Sequence, residues 1–244
     1  MQKHLQVHSQ ARVTRAMSSR TLGLVDHVTA AQTVRDAYAS LFGSEPSLAE
    51  RQFIQAIGAH EGYYGQGWTG DGVGSHNWGA VQAGMPPCDP ATTFEYTDSN
   101  PQESGGNVAY QACFKRYPDD VSGAADLAKL VTTSRPSTWA AARRGDLWGA
   151  AANMYDTHYY ANFGDLATAQ ANGFDNTRDY RVWTYAQSLM KLIKSIAAAN
   201  NEPVALKLVR GGTSSLGSSI FDGLLFLGTV ALTVYGVHYV MEEL

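Results

Sequence analysis

Glu61 falls in the segment Ala56-Ile57-Gly58-Ala59-His60-Glu61-Gly62-Tyr63-Tyr64-Gly65, four residues after Ile57 and seven after Ile54. Helical spacing therefore sets it on the apolar stripe at the end of its helix rather than toward water. Desolvation disfavours a carboxylate anion, so a carboxyl at such a place is expected to hold a proton near neutral pH, as a general acid must. The plainer reading is a Glu tied to backbone amides or to an Arg. Two further features surround it: a run of glycines at 65, 67, 70, 72 and 74, then Ser75-His76-Asn77-Trp78-Gly79-Ala80-Val81-Gln82. The glycine run lacks the Lys-Ser/Thr ending of a phosphate loop. Seven histidines invite a metal, but His60, His76 and His158 show no His-x-x-x-His pairing, so no metal and no cofactor is expected.

These residues need elements to hold them. Apolar spacing through Val34, Ala37, Tyr38 and Leu41 predicts a helix over 29–42, stopped at Gly43-Ser44-Glu45-Pro46. Ser47-Leu48-Ala49-Glu50 is a capping box that opens the helix carrying Phe53, Ile54 and Ile57. Between 64 and 107 helical periodicity disappears, and 78–82, 92–96 and 109–114 are short enough and apolar enough for strands. Helices resume over 119–132, 147–155 and 178–199, the last with Tyr185, Leu189, Leu192, Ile193 and Ile196 on one face. The expected domain is mainly helical with a small β insertion. Cys88 and Cys113, 25 apart, are too few for a disulfide framework or a four-thiolate metal site; one bridge or two buried thiols remain open.

The motifs in this order resemble the lysozyme-like superfamily, in which a helix-end Glu protonates a glycosidic oxygen and an Asn-bearing strand lines the sugar cleft. Thr92-Thr93-Phe94-Glu95-Tyr96, Phe114-Lys115-Arg116-Tyr117-Pro118-Asp119 and Met154-Tyr155-Asp156-Thr157-His158-Tyr159-Tyr160 are similar to motifs of the bacterial cell-wall glucosaminidases related to flagellar muralytic enzymes. The resemblance spans about residues 30–200. It implies an α+β lysozyme-like fold, a peptidoglycan glycan as substrate, Glu61 as general acid and Glu95 as second carboxylate. It also implies a cleft-facing tyrosine, for which Tyr159 is favoured over Tyr155 and Tyr160. Asp71 and Glu103 are rival second acids, and a lytic transglycosylase would need Glu61 alone. Sugar contacts are expected from Tyr63, Asn77, Trp78, Gln82 and Tyr160, because aromatic faces suit the C–H groups of pyranose rings. The family's Phe-Arg-x-Tyr strand is altered here to Phe114-Lys115-Arg116-Tyr117. A non-catalytic wall-binding protein of the same shape is the competing class.

Composition divides the 244 residues into four parts. Residues 1–25 carry Lys3, Arg12, Arg15 and Arg20 and no acid, a basic extension. The body, 26–200, holds 12 basic and 18 acidic residues, which argues against a nucleic-acid partner. A Gly/Ser-rich linker is expected over 201–219, followed by a span over 220–241 whose single full charge is Asp222. At about 1.5 Å per residue that span reaches the roughly 30 Å of a hydrocarbon core, so a C-terminal transmembrane helix and a lipid partner are expected. The N-terminal stretch shows no secretory apolar core. Access to a cell wall is then expected through a phage virion, with other virion proteins as partners and the anchor in a viral membrane or entry device.

Overall fold

The computed structural model describes residues 25–101, 107–160 and 164–210. The expected membrane span at 220–241 lies outside them, as does Glu103. Among the described residues no helix is long and apolar enough to cross a membrane.

Helix α1 (His27–Phe42) starts where Asp26 accepts the Thr29 N–H and stops at Gly43 in a left-handed conformation. Helix α2 (Leu48–Gly62) begins with the full capping box: Glu50 N–H bonds the Ser47 hydroxyl and Ser47 N–H bonds the Glu50 carboxylate at 2.6 Å. It is the central helix, buried on nearly every side. Phe53, Ile54 and Ile57 face the core as their spacing requires, and the buried polar residues of the same helix are all paired. Arg51 pairs with Glu202, Gln55 donates to the His27 carbonyl, and Gln52 bonds Pro203 O and Ala205 N. The chain beyond residue 200 is therefore fastened to α2, and Leu206 is 1% exposed. Packing against the body thus continues into the start of the stretch expected as linker.

After a 3-10 turn (Gly70–Gly72) come three antiparallel strands, β1 (Gln82–Gly84), β2 (Thr93–Pro101) and β3 (Asn107–Lys115), in the order β1-β3-β2. The expected strand over 78–82 survives only at its last residue, because Ala80 takes a positive φ of 47° and bends the chain. In the β2–β3 register Phe94 faces Phe114, Glu95 faces Cys113 and Asp98 faces Tyr110. Cys88 and Cys113 are joined in a disulfide that ties the loop after β1 to β3. One face of this hairpin, with Phe94 and Phe114, closes a small core around Trp68 and Ala80. Gly72 has to be glycine there: a Cβ would sit 2.7 Å from the Phe94 ring. The glycine run thus serves close packing at 65, 67 and 72, and left-handed turns at Gly70 and Gly74, where a Cβ would meet nothing.

Helices α3 (Asp120–Thr132), α4 (Pro136–Arg143), α5 (Leu147–Asp156), α6 (Leu166–Ala171) and α7 (Thr177–Ala199) complete the body. Two of these, α4 and α6, are short and carry no long apolar stripe, which is why periodicity did not announce them. The main core lies between α1, α2, α3, α5 and α7. The outcome is a helical body with one small antiparallel sheet, the α+β arrangement expected from the sequence.

Candidate active site

Glu61 sits in the last turn of α2 and is 3% exposed. The Tyr185 hydroxyl, delivered from α7, donates a hydrogen bond of 2.8 Å to its Oε1. Burial first, and the nearby Glu61 charge second, hold the Tyr185 phenol well above its ordinary pKa, so the O–H remains a donor at any physiological pH. Tyr160 stacks on Tyr185 with ring centroids 3.7 Å apart and planes 12° from parallel. Tyr159, from the same loop after α5, is fully buried; its hydroxyl bonds Gly79 O at 3.4 Å. Its phenol is also raised, by burial and then by Glu61. The helix-end carboxyl is thus walled by tyrosines from two segments remote in sequence.

His60 adjoins this cluster, its ring edge-on to Tyr185 at 5.0 Å, and desolvation pushes its pKa down to about 4. It is neutral near pH 7 and brings no positive charge beside Glu61. Arg135, the residue before α4, places its guanidinium 4.8 Å over the Tyr159 ring.

The hairpin contributes a different kind of acid. Glu95 is exposed on the face of β2 opposite the small aromatic core, beside Cys113 of the disulfide. Asp98 lies on the other face and is 1% exposed, accepting from Gln82 Nε2 at 3.2 Å and from Tyr110 at 3.3 Å. Asp71 is exposed in the 3-10 turn. Of the described hairpin acids, Glu95 is the one open to a polymeric ligand.

The expected sugar-contact residues separate sharply. Trp78 is completely buried, its ring 5.0 Å from that of Tyr64 and its Nε1 donating to Asp120 at 3.2 Å, so neither face is open to a pyranose. Asn77 is fully buried too. Its side chain accepts from Val81 N and donates to Val81 O and Lys115 O, which locks the turn that leads into β1. Gln82 is engaged with Asp98 and Tyr110, and Tyr160 with Tyr185 and the Ala151 carbonyl. Tyr63 and Gln82 keep partial exposure, Tyr63 as the left-handed residue ending α2 with φ 44°. An Asn-Trp-Gly turn therefore builds the floor beneath the site, and its members are packing residues.

Tyr185 and Arg135 were not singled out from the sequence as site residues. Tyr185 stood on the apolar face of α7, and a buried phenol does require a hydrogen-bond partner. That signal says a partner exists without saying which one. Arg135 precedes a proline and carried no signal at all. Among the described residues no group of three or more His, Cys, Asp or Glu is placed to hold a metal ion.

No protein-family model matches the chain, and no curated protein matches it. Among solved structures it is similar to the catalytic domain of the autolysin Auto from Listeria monocytogenes, at 16% identity and a TM-score of 0.47, over 78% of this chain and 93% of that one.

Proposed function

We propose that the protein is a peptidoglycan-degrading glycosidase that cleaves β-1,4 bonds of the wall glycan with Glu61 as general acid. The observation that carries this reading is the desolvated helix-end carboxyl of Glu61, 3% exposed and hydrogen-bonded by a permanently protonated Tyr185. A carboxyl kept from water and aimed by one fixed donor suits protonation of a leaving oxygen. The bond from the anomeric carbon to that oxygen breaks with its electron pair leaving on the oxygen, which takes the Glu61 proton. The sugar carbon is left with oxocarbenium character.

Glu95 is the second carboxylate of this reading. Its exposure on the open face of the hairpin suits an acid that meets a water or the anomeric carbon from the other side of the ring. In a transglycosylase the 6-hydroxyl of the substrate takes that place. Delivery by a phage particle with residues 220–241 as lipid anchor belongs to the same reading.

The test is clearing of peptidoglycan by the wild type and by Glu61→Gln, with folding of both checked by circular dichroism. Loss of clearing by about 10²-fold or more supports the acid; equal clearing overturns it. Mass spectrometry of the products separates an anhydro-sugar end, the transglycosylase outcome, from a reducing end. Deleting residues 220–244 is expected to release the protein from membranes or virions.

A further inference from the structure

A guanidinium drawn out of water without an anion is an uncompensated cost in a folded protein. Arg135 is in that condition. It is half-buried, desolvation lowers its pKa, and its Nε is buried without a hydrogen-bond partner. Among the described residues no carboxylate pairs with it. The arginines of the helical body for which an ion pair is seen are Arg35 and Arg51, both with Glu202, Arg143 with Glu50, and Arg178 with Asp156 and Asp179. Three residues on, on the same face of α4, Thr138 Oγ1 is fully buried and also lacks a partner. Both orphaned atoms lie at the start of one helix, which no side chain caps.

What holds Arg135 there is the face of Tyr159, 4.8 Å from the guanidinium carbon, an attraction between cation and ring that leaves the two terminal N–H groups without a partner among the described residues. Tyr159 is followed by Tyr160, whose ring stacks on Tyr185 at 3.7 Å, and Tyr185 in turn bonds Glu61; after burial, the Glu61 charge also raises the Tyr159 pKa. An unpaired cation therefore packs against the tyrosine cluster that surrounds the proposed acid.

We propose that Arg135 is an anion subsite beside Glu61 that takes a carboxylate carried by a muramic acid residue of the glycan. The inference rests on the glycosidase reading for the identity of the polymer, and it adds the basis on which one sugar is told from the other. N-Acetylglucosamine has no acidic group. Muramic acid bears a lactyl ether whose carboxylate is free in glycan stripped of its peptides; in intact wall the nearest carboxylates belong to the stem peptide. A planar guanidinium suits either, since it can give two parallel hydrogen bonds to one carboxylate.

The experiment measures binding, so that it does not depend on turnover. Full-length Glu61→Gln protein is titrated with three probes: the N-acetylglucosaminyl-N-acetylmuramic acid disaccharide with its lactyl carboxylate free, the same disaccharide carrying a stem peptide, and N,N′-diacetylchitobiose. The expected result is a preference of roughly 10- to 100-fold for a carboxylate-bearing probe over chitobiose, the scale of one hydrogen-bonded charge pair. Which of the two acidic probes binds better identifies the source of the carboxylate. Adding Arg135→Gln is expected to erase the preference while leaving chitobiose affinity unchanged, and Arg135→Lys to restore part of it. Equal affinity for all three probes with Arg135 in place, no measurable binding of any, or a preference that survives Arg135→Gln overturns the proposal. Should Arg135→Gln not fold, the Lys variant and the three-probe comparison still decide. Failure of the glycosidase reading shows separately, as preferential binding by a wild-type protein that cuts nothing.

Discussion

The end of α2 and the β2–β3 hairpin each present an acid, and they differ in almost every physical respect. Glu61 is 3% exposed, bonded to Tyr185 and surrounded by aromatic rings from α7 and the loop after α5. Glu95 stands in water on the outer face of a two-stranded hairpin whose other face is closed by Trp68, Phe94 and Phe114. Two carboxyls of like intrinsic chemistry thereby stand in opposite environments, one desolvated and one open to solvent. The lesson is that the helix stripe makes one environment and the pleat makes the other. Asp98, only three residues from Glu95, has the buried environment instead because odd spacing along a strand turns it to the inner face.

The largest effect that could break this contrast is at Glu61. Glu61→Gln is expected to lower kcat/KM on peptidoglycan by about 10² to 10⁴, with thermal stability near that of the wild type. Glu95→Gln should follow at about 10² on the same assay if the second carboxylate is required. A Glu95→Gln enzyme with full activity and anhydro-sugar products would instead assign the chemistry to Glu61 alone.

Tyr185→Phe sharpens the helix-end side of the comparison. Removing one hydrogen bond to the Glu61 carboxyl, about 1 kcal/mol, corresponds to roughly a fivefold fall in kcat; KM should hardly move, because the phenol bonds the buried Glu61. A large rise in KM with kcat intact would place Tyr185 among substrate contacts.

On the stability side, His60 has a folded pKa of about 4 against 6.5 for the free side chain. The unfolded chain therefore binds more protons between those values, and stability falls as pH drops from 6.5 toward 4. At about 1.4 kcal/mol per unit, the loss is bounded at about 3.5 kcal/mol, and denaturant midpoints for wild type and His60→Gln across that window measure it. The variant should show the shallower slope. In the hairpin, reduction of Cys88–Cys113 removes the cross-link of a 25-residue loop, expected to cost at most about 3 kcal/mol. Hydrogen exchange should report that loosening in β2 and β3 before the helix end around Glu61 responds.

Much of the fold was readable because it follows local rules. Capping at Ser47 and Glu50, the stop at Gly43 and the stripes of α1, α2 and α7 are set by residues three or four apart. The burial of Glu61 was legible for the same reason: its distance from Ile54 and Ile57 decides which way it faces. Trp78 and Asn77 show the limit. Their position beside a glycine-rich loop fits a ligand cleft and an internal turn equally well, and only the ring of Tyr64 and the amides of Val81 decide for the turn.

The sequence by itself determined the helical body, the interrupting hairpin, the central helix and the acid at its end, since each depends on periodicity or a cap within one short segment. Tertiary structure alone decided which groups meet that acid. Tyr185 lies 124 residues from Glu61, and Arg135 reaches Tyr159 from a different helix start, so their meeting depends on how helices pack and not on any local spacing. Contacts of that kind arise only when remote apolar faces share one core, and a guanidinium with no acid beside it among the described residues becomes visible only once those residues have been put in place.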